Sequence, residues 1–232
     1  MIDILIPYSS RELYLRRLLD SIERNWGTAG DLKEINLRVV YNESQIIKHP
    51  LFNLVGAYTP HFFESRVSIG RIMQFYRASI EDESRLCMKL DEDCLLVSEN
   101  FGRHLFAIHE LRMDAIFSGY PVGLISNAGG PKGHRHEVTY SKELDTYYGM
   151  RHVSHVGGFA RVMPSEYVKH INFHEGHQED SEVSQWALAN GKPMFYLENS
   201  LIVEHQESSI GQGYRYPDYF KNREAVYQGR SK

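Results

Sequence analysis

The opening of the chain constrains the fold most, because it reads strand, helix, strand. Ile2–Pro7 is a short apolar run closed by a proline, the pattern of a buried strand. Ser9 and Glu12 stand at capping-box spacing, and Leu15, Leu18, Leu19 and Ile22 then recur at helical spacing until Gly27. Leu37–Tyr41 reads as the second strand. Such a β–α–β opening is the signature of an α/β sheet with parallel strands.

The same alternation continues. Residues 43–64, with Pro50 and Pro60, read as loop with room for one short strand. Ser68 is placed to cap a helix whose Ile69, Ile72, Met73, Tyr76 and Ile80 form one stripe. Leu86–Leu90 is a strand running into Asp91-Glu92-Asp93, followed by a helix over Glu99–Arg112 and a strand at Ala115–Ser118. Residues 126–150 are the least regular stretch, with Gly129, Gly130, Pro131 and Gly133 marking a mobile loop. Val156–Met163 reads as a strand, Pro164 as the first position of a helix over Ser165–Ile171, and Asp180 as the start of a helix stopped by Gly191. Met194–Leu197 and Leu201–Glu204 complete the sheet.

At 232 residues the chain suits one α/β domain, expected as a half over 1–95, a half over 96–205 and a tail from 206 to 232 that closes as a lid or frays. The net charge of −4 argues against non-specific nucleic-acid binding. The two cysteines, Cys87 and Cys94, fit neither a disulfide framework nor a CxxC zinc site. Ile2 begins the first strand with no leader pattern before it, and no apolar run approaches the ~20 residues of a membrane span. The expectation is a cytoplasmic protein.

Three features carry chemistry. Asp91, Glu92 and Asp93 follow a buried strand, at the end where open α/β sheets bind ligands. Strand alternation would put Asp91 and Asp93 on one side and Glu92 on the other. Two carboxylates aimed at one point call for a cation, and Mg²⁺ or Mn²⁺ suits oxygen ligands and diphosphates. Glu179 and Asp180 precede an amphipathic helix, where a carboxylate acts either as cap or as general base. His205 ends the last strand and could complete a mixed nitrogen and oxygen site. Taken singly, each has a plain counterpart: a solvated acidic turn, a helix cap, a surface histidine.

Taken in order, they resemble the nucleotide-sugar glycosyltransferases of the GT-A fold, especially the inverting family-two group. Ile4-Leu5-Ile6-Pro7-Tyr8 and Leu15–Ile22 look like that family's first strand and helix. Asp91-Glu92-Asp93 looks like its DxD motif, Gly157-Gly158-Phe159 like its acceptor-side segment, and Glu179-Asp180 with the helix to Gly191 like its ED helix. His205 sits where the family often has its last metal ligand. Ser9-Ser10-Arg11 departs from the family's usual residues, and 126–150 has no counterpart.

The resemblance implies a single Rossmann-like GT-A domain with a mostly parallel central sheet flanked by helices. It implies a donor such as a UDP- or GDP-sugar, with Pro7, Tyr8, Ser9 and Arg11 near base and ribose. Arg66 or Arg71 would reach the diphosphate, with surface charge the plainer reading for Arg71. Asp91 would face the ribose or the metal's water shell, beside Glu92, and Asp93 and His205 would ligate Mn²⁺ or Mg²⁺. Asp180 would be the base and Glu179 would orient it or the acceptor, giving inversion. The acceptor is left open among polysaccharide precursor, protein, small molecule and, disfavoured by charge, nucleic acid. Two rival readings remain: a nucleotidyltransferase on a related fold, against which stands the lack of a glycine-rich phosphate loop, and a non-catalytic sugar- or nucleotide-binding module.

Overall fold

The computed structural model describes residues 1–80, 85–122, 135–198 and 200–206. The expected mobile turn at Gly129–Gly133 and the tail beyond Gln206 lie outside the described residues. The elements run β1 (Ile2–Tyr8), α1 (Glu12–Asn25), α2 (Ala29–Leu32), β2 (Ile35–Asn42), a 3-10 turn (Pro50–Asn53), β3 (Ala57–Phe63) and α3 (Ile69–Ser79). They continue with β4 (Leu86–Leu90), β5 (Cys94–Leu96), α4 (Phe101–Leu111), β6 (Ile116–Ser118), β7 (Tyr120–Val122), β8 (Arg135–Ser141) and β9 (Thr146–His152). The last are β10 (Ala160–Pro164), α5 (Ser165–His170), α6 (Glu179–Ala189), β11 (Met194–Leu197) and β12 (Ile202–His205). Among the described residues no helix is long and apolar enough to cross a membrane.

A nine-stranded sheet runs in the order β3-β2-β1-β4-β10-β6-β11-β9-β8. β3, β2, β1 and β4 are mutually parallel, as are β6 and β11. β10 lies antiparallel between β4 and β6, and β9 antiparallel between β11 and β8. β10 and β9 thus oppose a common direction, and the sheet is mostly parallel. A second sheet of three strands, β5-β12-β7, stands beside it.

Strand alternation divides the core into two layers. Ile2, Ile4 and Ile6 pack with Leu15 and Leu18 of α1, with Trp26 just after it, and with Phe101 and Leu105 of α4. Leu5 and Cys87 pack on the other face with Ile72, Met73, Tyr76, Tyr167, Val183 and Ala187 of α3, α5 and α6. Each such fully buried aliphatic side chain contributes about 1.5–3 kcal/mol. Both cysteines are buried and free.

Several local expectations are corrected. The capping box does not form: α1 starts at Glu12 with no side-chain cap, and Glu12 pairs with Arg16 at 2.7 Å. Ser9 is drawn away because the buried Glu92 carboxylate takes both its amide and its hydroxyl. Residues 57–63 form a full strand, tolerating Pro60 because β3 is the sheet's edge. Part of the stretch read as irregular is the β8–β9 hairpin, paired from Arg135–His152 to Ser141–Thr146. Gly158 and Phe159 form a turn ahead of β10, and Pro164 ends that strand just before α5.

Candidate active site

A cleft of about 670 Å³ opens at the carboxyl ends of β1 and β4. The β1 end brings Pro7, Tyr8, Ser9 and Arg11; the β4 end brings Lys89, Asp91, Glu92 and Asp93. The α3 approach adds Arg66, Val67 and Ser68, and the start of α6 adds His177, Gln178, Glu179 and Asp180. Ser68 does cap α3, accepting from the Arg71 amide at 3.2 Å.

Asp91-Glu92-Asp93 is not a continuation of β4. It forms a turn, closed by the Cys94 amide donating to the Asp91 carbonyl at 3.0 Å. Alternation therefore does not apply, and the three side chains diverge by a different rule. Glu92 is buried and turns inward to bind the chain leaving β1: it accepts from the Ser9 amide at 2.9 Å and from Arg11 Nε at 2.6 Å. Arg11 also reaches Asp93 Oδ2 with Nη1 at 2.8 Å. Arg11 and Glu92 line the cleft, with their polar atoms joining β1 to the acidic turn.

β12 explains the place of His205. Its antiparallel register on β5 sets His205 opposite Cys94, next to Asp93. His205 Nε2 lies 3.3 Å from Asp93 Oδ1, and both side chains are buried. Asp93 Oδ1 and His205 Nδ1 have no hydrogen-bond partner among the described residues. A buried, unpartnered carboxylate oxygen facing an imidazole nitrogen is a donor pair that fits Mn²⁺. Asp91 is not gathered with them. Its Oδ1 accepts from Lys89 Nζ at 2.6 Å, and Asp91, Asp93 and His205 do not bring three ligand atoms within 4.8 Å of one another.

At the floor of the cleft lies a buried ion cluster. Lys89 is 5% exposed and donates to Asp91 Oδ1, to Glu179 Oε1 at 2.8 Å and to the Gly158 carbonyl at 2.8 Å. Burial works against its charge, but the Asp91 and Glu179 carboxylates outweigh that and hold its pKa above the ordinary value. Burial likewise opposes the Glu179 charge, and Lys89 and Arg161 overcome it, holding its pKa down at about 2. A Cβ at Gly158 would overlap the Glu179 carboxylate and press on Lys89 Nζ at 3.1 Å, so the ion pair would have to shift. Arg161, opposite Lys89 on β10, is fully buried, and burial lowers its pKa against the pull of Glu179, Asp180 and Asp91.

Asp180 stands at the front, in the first turn of α6. Oδ1 accepts from the Ser181 amide at 2.8 Å, and Oδ2 lies 3.3 Å from His155 Nε2. Carboxylates in a first turn are favoured by the helix dipole.

Of the residues singled out by sequence, Pro7, Tyr8, Ser9, Arg11, Arg66, Asp91, Glu92, Asp93, Glu179 and Asp180 meet in the cleft, and His205 backs Asp93. Arg71 does not: it is exposed on α3 and bonds Gln74 at 3.2 Å. Sequence reasoning missed Lys89, His155 and Arg161. Lys89 carried a signal, a lysine inside an otherwise apolar strand; His155 and Arg161 carried none that separates them from other basic residues.

No protein-family model matches the chain, and no curated protein matches it significantly in sequence. Solved structures do match in fold. Staphylococcus aureus TarS superposes with a TM-score of 0.64 at 15% identity, over 97% of this chain and 38% of that one. TarS residues 1–349 in complex with UDP-GlcNAc give 0.65 at 14% identity, over 90% of this chain and 61% of that one. The same TarS segment in complex with UDP gives 0.61 at 14% identity, over 88% and 59%. The chain thus spans from about two-fifths to three-fifths of these TarS chains, and it shares their GT-A fold.

Proposed function

We propose that the protein is a metal-dependent glycosyltransferase that moves a sugar from a UDP-sugar to an acceptor hydroxyl with inversion. The observation that carries this reading is one cleft lined both by Asp93, which His205 backs at 3.3 Å, and by Asp180 at the start of α6. The TarS complexes with UDP-GlcNAc and UDP favour a uridine nucleotide over a guanosine one.

Asp93 and His205 are the residues that would hold Mn²⁺ or Mg²⁺, which when bound offsets the charge of the departing nucleoside diphosphate. Pro7, Tyr8 and Ser9 border the base and ribose, with Asp91 on the ribose side. Arg66 suits the diphosphate, because a guanidinium binds phosphate oxygens in pairs. Asp180 takes the acceptor's hydroxyl proton as that oxygen attacks the anomeric carbon, and the bond to the diphosphate breaks on the opposite face. His155, against Asp180 Oδ2, orients the carboxylate. Glu179 and Lys89 hold the floor of the cleft by their ion pair rather than by touching the sugar.

The test is release of nucleoside diphosphate from a panel of nucleotide sugars with Mn²⁺ and candidate acceptors. Asp180→Ala should lower transfer by about 10²–10⁴-fold, the usual contribution of a positioned base. Asp93→Ala should abolish release at matched Mn²⁺. Release from no donor, together with no nucleotide binding, would remove the reading.

A further inference from the structure

A second cluster of ligating side chains lies at the rim of the cleft. Among the described residues, His174, His177 and Glu182 form the one trio of His, Cys, Asp or Glu whose ligand atoms all fall within 4.8 Å of one another. His174 Nδ1 is 2.7 Å and His177 Nδ1 is 3.3 Å from the same oxygen, Glu182 Oε1. Around an ion with bonds of about 2.0–2.2 Å, ligand atoms stand roughly 3–3.5 Å apart. The two imidazoles therefore need only small movements to share an ion with the carboxylate.

The scaffold presents these groups deliberately. Residues 173–176 are seated on α3: Gln74 Nε2 donates to the Phe173 carbonyl at 2.7 Å, and Gly70 lets the His174 carbonyl pack directly on the helix. Gly176 turns the chain at a φ of 82°, and its amide donates to Ser68 Oγ at 3.4 Å. The rings are solvent-accessible, at 55% and 64% side-chain exposure, while the Glu182 side chain is nine-tenths buried at 10%.

A simple hydrogen bond from His174 to Glu182 leaves two features unexplained. The second imidazole aims its Nδ1 at an oxygen that already accepts from the His174 amide at 2.9 Å and faces His174 Nδ1. Glu182 Oε2 is buried with no hydrogen-bond partner, and a buried carboxylate oxygen left unpaired costs free energy. An ion answers the first, since neutral imidazoles and a carboxylate are then ligands and not competing donors.

We propose that His174, His177 and Glu182 form a binding site for a zinc-class divalent ion, separate from the Asp93–His205 pair. Imidazole nitrogen with one carboxylate selects Zn²⁺ over the hard ions that prefer all-oxygen sites. His177 lines the cleft two residues before Glu179, so the bound ion fastens the chain that leads into Glu179 and Asp180.

The test is calorimetric titration of the full chain, stripped with chelator, with Zn²⁺ alone. The wild type should bind one Zn²⁺ at these residues with Kd below about 10 µM. The His174→Ala/His177→Ala double variant and Glu182→Gln should lose that ion, and Asp93→Ala should keep it. Zn²⁺ should raise the melting temperature of the wild type and of Asp93→Ala, but not of the double variant. Circular dichroism checks that the variants fold, and Glu182→Gln preserves the shape of the side chain if the double variant does not. Equal Zn²⁺ affinity and stoichiometry in wild type and folded variants would overturn the proposal, as would a wild type that binds no Zn²⁺ in that range.

Discussion

Gly158 shows how little room the cluster at the floor of the cleft allows. Its missing side chain is what lets Glu179 and Lys89 meet, since a Cβ would overlap the Glu179 carboxylate. Gly158→Ala should separate the pair and destabilise the fold by about 1–3 kcal/mol, the usual cost of overpacking, read by chemical denaturation. Glu179 adds a pH signature. Its folded pKa of about 2 lies below its ordinary 4.5, so the unfolded chain binds its proton first. The stability this supplies is complete above pH 4.5 and is lost as pH falls through about 2. Glu179→Gln should therefore lose less stability across that window than the wild type, as measured by denaturation at stepped pH. An identical acid profile in both would show that Glu179 is not held down. At this scale, residue type and spacing singled out Asp91, Asp93, Asp180 and His205, and the structure sets the first three in the cleft with His205 behind Asp93. They did not reveal that Glu92 binds Ser9 and Arg11, because that bond joins residues 83 and 81 positions apart.

Elements were legible where periodicity ran unbroken. β1, β2, β4 and α3 sit close to their expected places because each carries an apolar stripe or run, and α6 does because its acidic first turn and Gly191 bound it. β3 was obscured by Pro60, which reads as a strand breaker until the strand is known to lie at an edge. The β8–β9 hairpin was hidden by its polar composition, although Val138 with Tyr140 and Tyr148 with Met150 alternate on either side of a short turn. Thr28 and Asp31 make the capping box that Ser9 and Glu12 do not: Asp31 Oδ2 accepts from the Thr28 amide at 2.6 Å, and Thr28 Oγ1 accepts from the Asp31 amide at 3.3 Å. Asp31 also binds Arg103 of α4 at 3.2 Å, so this cap ties two helices. Thr28→Ala should cost about 1 kcal/mol of stability and leave nucleotide binding unchanged, since none of these residues lines the cleft. A matching loss of nucleotide affinity would mean that the two regions are coupled.

At the scale of the molecule, function depends on bringing together chain ends that are far apart in sequence. β1 and β4 are neighbours in the large sheet, and β5 and β12 are neighbours in the small one. Together these pairings carry Ser9, Asp93 and His205 to one place. The sequence suggested the mostly parallel sheet through its alternating elements, but not the insertion of antiparallel β10 between β4 and β6, which local patterns do not encode. That insertion sets Gly158 and Arg161 behind Lys89 and so completes the charged floor under Asp180.

If Asp93 and His205 hold the proposed cation, uridine diphosphate should bind this cleft only when that cation is present. Calorimetric titration of UDP into the wild type, Asp93→Ala and His205→Ala, each with Mn²⁺ and with chelator, tests it most directly. Binding by the wild type should require Mn²⁺ and weaken by about tenfold or more in each variant. Equal UDP binding in chelator, or binding unaffected by both substitutions, would contradict it.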